Sequence, residues 1–390
     1  MKKALIIIIL VLASGIKMYA QSTVSFSGYL NDMQTVYHLE EQGWLWENQV
    51  HNRLNLDIYP ADWLKMTLHG RSRFLQGKTY SGFPGYAGLF KQDAGWIDLT
   101  AATSGSYNDQ LGYILTTTVD RAYTEFTWGD FVGTVGRQRI NWGQTFVWNP
   151  NDIFNAYSYF DVDYPERPGS DAVRLQYYTG MTSNIEVAAS IDSANQITAA
   201  GYFRMNTFGY DIQFIAGILD GEDLLVGTGW SGSVVNTSFR GEATWFRDLE
   251  NFKDTTGYLL LSAGLDHTMG NGLWLQSEVL YSGFAKELKI NNFLQLFSTG
   301  MNVKNIGFTR WALFGSLSYP VTPLFDVSLS GIFYPEWKGF YLGPNLEISV
   351  TNNIRGAFIF QAFSAELEDF SGQVTRQNTL IGYARIKWSF

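Results

Sequence analysis

The sequence predicts an all-β fold: a transmembrane antiparallel β-barrel of about 18 strands, with about 16 the next count. Three observations carry this reading. Apolar and polar residues alternate with period two through long segments, which outrun the usual strand of about 5 or 6 residues and match the ~10-residue dyad of a bilayer-crossing strand. Connections between segments are short at every second joint and mostly longer at the others. The 390 residues include 13 Trp, 22 Tyr and 28 Phe, yet only 16% are charged, against about 25% in an ordinary soluble domain. A soluble sheet also alternates, but its outward face is polar. Here one face is apolar and the other carries the charges, as lipid outside and water inside require.

The first twenty residues read as an address. Lys2 and Lys3 make a positive start, Ala4 to Ile16 is an apolar run, and Met18-Tyr19-Ala20 offers a small-residue cleavage site before Gln21. A helix over that run rises only about 20 Å, too short for a hydrocarbon core of about 30 Å. The expected organisation is a signal peptide over 1–20 and a barrel over 21–390. Removing Lys2, Lys3 and Lys17 takes the 27 basic residues to 24, against 36 acidic ones, a net of −12. The chain has no Cys, which leaves no lipid anchor, disulfide framework, zinc finger or thiol catalysis. A formal charge of −9 with no basic run excludes nucleic acid as a partner.

Strands are expected near 24–38, 47–59, 63–75, 116–128, 131–141, 171–179, 184–192, 196–205, 208–218, 224–234, 236–247, 257–268, 273–283, 308–319, 324–333, 340–350, 354–365 and 378–390. The alternation is plain in the second, where Gln49, His51, Arg53, Asn55 and Asp57 oppose Val50, Asn52, Leu54, Leu56 and Ile58. Short joints include Pro60-Ala61-Asp62, Gly129-Asp130, Asn206-Thr207 and Gly270-Asn271-Gly272, while 76–115, 142–170 and 284–307 are long. This alternation of short turns and long loops is the outer-membrane barrel pattern, with both termini on the short-turn side. Trp63, Phe74, Trp128, Trp245 and Trp388 fall near strand ends, where interfacial girdles sit. With the first strand so close to the cleavage site, an N-terminal plug domain is not expected.

The ending Tyr383-Ala384-Arg385-Ile386-Lys387-Trp388-Ser389-Phe390, on an alternating last strand, resembles that of Gram-negative outer-membrane porins. A second resemblance lies in Gly136-Arg137-Gln138-Arg139-Ile140-Asn141-Trp142-Gly143 followed by Asn149-Pro150-Asn151-Asp152, similar to the G-R-Q…W-G strand-to-loop junctions of porin-like barrels. The resemblance implies the outer membrane, its lipid and the barrel-assembly machinery as partners, and a small-molecule solute as cargo. It implies no cofactor, and association into homo-oligomers stays open.

Inward charges are expected to segregate. A basic wall of Arg53, Arg71, Arg73, Arg121, Arg137, Arg139, Arg174, Arg355 and Arg385, with Lys65 and Lys387, faces only Asp57 and Glu125 on the same strands. An acidic wall of Asp211, Glu242, Asp266, Glu278, Asp326 and Glu347 stands opposite, with Arg204, Arg240 and Arg310 among it. Such a transverse field orients polar solutes and sets ion preference, here for anionic or carboxylated solutes. Loop 142–170, with Trp142, Trp148, Asn149, Asp152, Asp161, Asp163 and Arg167, is the candidate constriction, against the plainer reading of an external loop. Asp152, Asp161, Asp163 and Glu166 lack EF-hand spacing, and no metal site is assigned. The aromatics of 76–115, among them Tyr80, Phe83, Tyr86, Phe90 and Trp96, are expected to pack on the rim rather than line an entrance for sugar or hydrocarbon.

Catalysis is not expected. Of His38, His51, His69 and His267, only His51 and His69 fall near each other on an inward face, and their inward neighbours Arg53, Arg71 and Arg73 supply no orienting carboxylate. No G-x-S-x-G, H-E-x-x-H or Walker A pattern is present, and no G-x-G-x-x-G pattern stands out.

Overall fold

The computed structural model describes residues 23–39, 43–78, 80, 93–108, 111–156, 159–160, 162–163, 166–254, 256–286, 290, 302–368 and 372–390. The signal-peptide reading of 1–20 lies outside them, as do Phe83, Tyr86, Phe90 and Asp161.

The first strands are β1 (Val24–Leu39), β2 (Gly43–Ala61), β3 (Leu64–Gly77), β4 (Thr100–Asn108), β5 (Leu111–Trp128) and β6 (Phe131–Gln138). Then come β7 (Ser170–Gly180), β8 (Ser183–Ile191), β9 (Ile197–Thr207), β10 (Tyr210–Leu219), β11 (Asp223–Val234), β12 (Thr237–Asp248) and β13 (Tyr258–Thr268). The chain ends with β14 (Trp274–Ser282), β15 (Trp311–Thr322), β16 (Phe325–Tyr334), β17 (Gly339–Thr351), β18 (Ile354–Glu368) and β19 (Val374–Ser389). β3 pairs with β5; β4 aside, each strand pairs antiparallel with the next along the chain, and β1 pairs with both β2 and β19, so an 18-strand barrel closes. The extra strand is β4. It takes the edge of β5 at Thr100↔Thr118, just beyond Ala122↔Arg137, where β6 ends. It was not foreseen, because Thr-Ala-Ala-Thr-Ser-Gly-Ser has no large apolar residue to mark a face.

The belt faces outward as the alternation requires. Leu54, Met66, Leu175, Phe214, Leu313 and Phe358 are exposed on it. At the short-turn end Trp63, Phe126, Trp128 and Phe131 form a row of near-parallel rings 5.6–6.5 Å apart. Trp44 and Trp46 are exposed at the other end of β2. A closed barrel with such a belt satisfies every strand's backbone groups without water, which is what a bilayer demands. The fold is that of an outer-membrane barrel.

The interior is divided. Along β8 to β18 it is packed with apolar side chains, among them Ile215, Leu225, Phe246, Leu260 and Leu280, together with Trp142, Trp148 and Phe160 from the β6–β7 connection. Along β1, β2, β3, β5 and β19 it is polar, with Arg53, Arg71, Arg121 and His51 buried.

The β1–β19 seam runs from Leu39↔Thr379 to Tyr29↔Ser389, and the last residue extends it. The Gly28 N–H donates to the Phe390 carbonyl at 2.9 Å, and the Phe390 N–H returns a bond to Gly28 O at 3.0 Å. A Cβ on Gly28 would collide with the Arg53 carbonyl and press on the Phe390 ring. Gly28→Val is therefore expected to reduce sharply the compact, heat-modifiable species on unboiled gels, while Leu30→Val on the lipid face leaves it unchanged.

Candidate functional site: a loop across a charged lumen

β6 stops at Gln138, and the chain turns into the barrel instead of away from it. The Ile140 N–H donates to Asn155 Oδ1 at 2.8 Å, and Asn155 Nδ2 reaches Ser170 Oγ at 2.9 Å, which ties the stem of the connection. The described residues of 139–169 then follow the inner wall. Trp142 donates to Glu186 at 2.9 Å and stacks on Tyr202 at 5.2 Å, while Gln213 donates to the Trp142 carbonyl at 2.8 Å.

The next stretch hangs on two carboxylates. Glu242, on β12, accepts the backbone N–H groups of Gln144, Thr145 and Asn151 and the Thr145 hydroxyl. Glu278, on β14, accepts those of Phe146 at 3.0 Å, Val147 at 3.1 Å and Trp148 at 2.8 Å, and the Ser262 hydroxyl at 2.9 Å. An irregular segment inside a barrel has no ladder to satisfy its amides, and a buried unpaired N–H is costly. Two carboxylates at that depth supply the acceptors, and the amides in turn offset their desolvation. Thr244 bonds the Pro150 carbonyl at 3.0 Å and Asn151 Oδ1 at 2.6 Å.

Farther on, Tyr159 and Phe160 pack edge-on against Phe314, Tyr341 and Phe363. Arg385 donates to the Val162 carbonyl at 3.2 Å. Asp163 accepts from Asn31 at 2.9 Å, from Gln49, and from His51 Nδ1 at 3.0 Å. Tyr29 donates to Glu166 at 3.0 Å, and Arg121 donates to the carbonyls of Glu166 and Arg167, both at 2.8 Å. The loop thus spans from β8 round to β5.

Two loop acids depart from ordinary titration in opposite senses. Burial pushes Asp152 up to about 6, against the pull of the Arg139 and Arg167 guanidiniums; Arg167 is 3.8 Å away. Burial would raise Asp163 too, but its bond to His51 and the charges of His51, Arg73 and Arg71 hold it below the carboxylate range.

Several expectations need correction. Arg137 does not line the lumen. It shares the outward parity of exposed Val135, and with Asp171 it is buried beneath residues 93–97, bonded to Asp171 at 2.7 Å and Asp93 at 2.9 Å. The basic wall also has more partners than Asp57 and Glu125. A bulge opposite His69 and Gly70 turns Asp120 inward, where it pairs with Arg53 and lies 3.9 Å from Arg71. Arg174 is held by Glu186 at 2.6 Å, and Arg355 stands exposed beside Glu347 at the rim. His51 and His69 are not a pair: His69 turns to Asp57 at 3.2 Å, and the carboxylate missing beside His51 is Asp163, from the loop.

Of the acidic wall, Glu242 and Glu278 are sealed under the loop, Asp266 meets Arg240 at 3.2 Å, Asp211 accepts from Asn206 at 2.9 Å, and exposed Asp326 stands opposite Glu347. In the loop, Asp152, Asp163 and Glu166 turn to three different partners, so they do not converge on one ion. Asn149 is buried and caps a turn, its carbonyl accepting from the Asp152 N–H at 3.1 Å. Tyr80 packs with Leu75 and Ile114, and Trp96 is exposed.

No family model matches the chain, and no curated protein matches it by sequence. Among solved structures it is similar to OccAB4 of Acinetobacter baumannii, with 9% identity, 95% of this chain and 99% of that chain covered, and a TM-score of 0.55. OpdQ of Pseudomonas aeruginosa gives 8% identity, 95% and 99% coverage, and a TM-score of 0.56. OccAB3 of Acinetobacter baumannii gives 8%, 95% and 100%, and 0.59. At these identities the likeness is one of fold, and it extends over essentially the whole barrel.

Two outcomes follow from the loop's anchoring. Glu242→Ala leaves three amides and a hydroxyl without their acceptor, at about 1–3 kcal/mol each. It should raise single-channel conductance and open 144–151 to protease while the barrel stays folded. Asp152 has its folded pKa above the unfolded one, so its ionisation costs stability as pH rises from 3.8 to about 6. Asp152→Asn should therefore stabilise the protein at pH 7, by up to about 3 kcal/mol, and gain nothing near pH 3, as read by urea unfolding.

Proposed function

We propose that the protein is an outer-membrane channel for passive diffusion of small polar solutes, favouring anionic or carboxylated ones. The observation that carries this is the set of inward charged side chains that keep contact with solvent inside the barrel. Lys65, Asp57, His69, Arg174, Arg240 and Asp266 are 17–30% exposed, although all sit on strands of a closed wall. Water therefore reaches the lumen on the short-turn side of the loop.

The passage runs along the polar side, because the β8–β18 side is filled. There Arg73, Arg385 and Lys387 remain half-buried, with Arg71 and Arg121 beside them. Glu166 and Asp163 of the loop offset part of this charge, and the balance stays positive. The aromatic residues Trp142, Trp148, Tyr159 and Phe160 of the loop are used in packing. The signal peptide of 1–20 would deliver the chain, the assembly machinery would read the Phe390 end, and the long loops would then face outward from the cell.

The test is planar-bilayer conductance of the refolded mature protein under a salt gradient. Open steps with anion preference are expected, and Arg73→Glu with Arg385→Glu should shift the permeability ratio toward cations. A folded but silent barrel, or an unmoved ratio, would overturn the reading.

A further inference from the structure

Around most of the wall the outward positions are apolar, as at Leu175, Val187, Phe203, Phe214, Val226 and Leu259. β1 and β2 break the rule. Their outward rungs read Phe26↔Leu56, Gly28↔Leu54, Leu30↔Asn52, Asp32↔Val50, Gln34↔Asn48 and Val36↔Trp46. The polar rungs are thus enclosed between apolar ones. At about 5 Å of height per rung for a tilted strand, Asp32 lies about 15 Å above Phe26, inside a hydrocarbon band of about 25 Å. Asp32 and Gln34 are exposed on this face. Asn48 donates to Asp32 at 2.6 Å, Asn52 donates to the Tyr29 carbonyl at 3.3 Å, and the Ser72 and Thr117 hydroxyls bond each other at 3.0 Å on the neighbouring strands.

We propose that this face of β1, β2, β3 and β5 is an intramembrane contact with a second copy of the same chain. Lipid tails offer a carboxylate and amides no partner, and the mismatch costs several kcal/mol. An anionic lipid headgroup is excluded by sign, since the patch carries a carboxylate and neither Lys nor Arg. A copy of the chain has what is missing. Acceptors cluster toward β1 at Asp32, while one proton of the Ser72–Thr117 pair stays available on the β3–β5 side, with Asn and Gln amides between. An acceptor edge next to a donor edge suits a head-to-tail contact that closes into a ring.

This inference rests on the membrane-spanning reading above, and its test separates the two. The chain has no native Cys, so introduced thiols report cleanly. Gln34→Cys with Ser72→Cys, reconstituted in vesicles and treated with a membrane-permeant oxidant, should cross-link into multimers. Phe214→Cys with Val226→Cys, on the opposite wall, should not. Asp32→Leu with Asn48→Leu should convert multimers in mild detergent to monomers that still show heat-modifiable barrel migration. Equal cross-linking at both walls, none at the patch, linkage in native membranes to a different protein only, or multimers that survive the leucine pair would each overturn the proposal. Conducting monomers would refute the contact and leave the channel intact, whereas silent multimers would do the reverse.

Discussion

Two buried carboxylates hold the inward loop in place, and the shape of the lumen follows from them. Glu242 and Glu278 gather six backbone amides of residues 144–151 without a single helical turn. Neither partner is tolerable alone, since the carboxylates would be desolvated charges and the amides orphaned donors. Together they make a concave amide nest filled by side-chain anions from the wall. With that stretch pinned to β12 and β14, Trp148 and Phe160 are carried into the apolar half of the barrel. The remainder of the loop is then left to span to β1 and β2.

The consequence is a barrel with an apolar core on one side and a polar wall on the other. A barrel of this size ordinarily leaves an aqueous interior. Here the apolar side chains of β8–β18 and the loop take that volume on one side, as a soluble domain would. The charges left facing water are mostly on the side where the loop touches through Asp163, Glu166 and its own carbonyls. The same side chains hold the loop and stand in the polar wall: Arg121 anchors the loop end, and Arg385 grips Val162.

Period-two alternation made the strands legible, because a strand that is lipid-exposed on one face and wet on the other has no freedom to blur it. The turns were legible for the same local reason. What failed was local ambiguity and distance. In Phe131-Val132-Gly133-Thr134-Val135 both parities carry apolar residues, and assigning the inward face by charge put Arg137 on the wrong side. The large Phe131 and Val135 at its own parity were the usable signal. Asp120 escaped because a bulge shifts parity by one residue and leaves no mark in composition. Glu242 and Glu278 were seen as inward acids, but their engagement with amides 91–98 and 130–132 positions away has no sequence signature. The hydroxyl- and amide-bearing rungs of β1 and β2 were in plain view, yet only the paired register puts Asp32 beside Asn48 and Val50.

The way the loop is held also decides how it answers to salt. Ion pairs open to water weaken as the screening length falls from about 10 Å at 0.1 M to about 3 Å at 1 M. The Glu242 and Glu278 bonds are short-range, buried and made to neutral amides, so screening has little to act on. The charges of Lys65, Arg174 and Arg240, which keep water contact at 20–30% exposure, are screened more. In the proposed channel, a change of ion preference with ionic strength would belong to the wall, whereas a change of pore size would require loss of an acceptor. Neutral donors on buried acids set the geometry of the loop, and the charges in contact with water set the field.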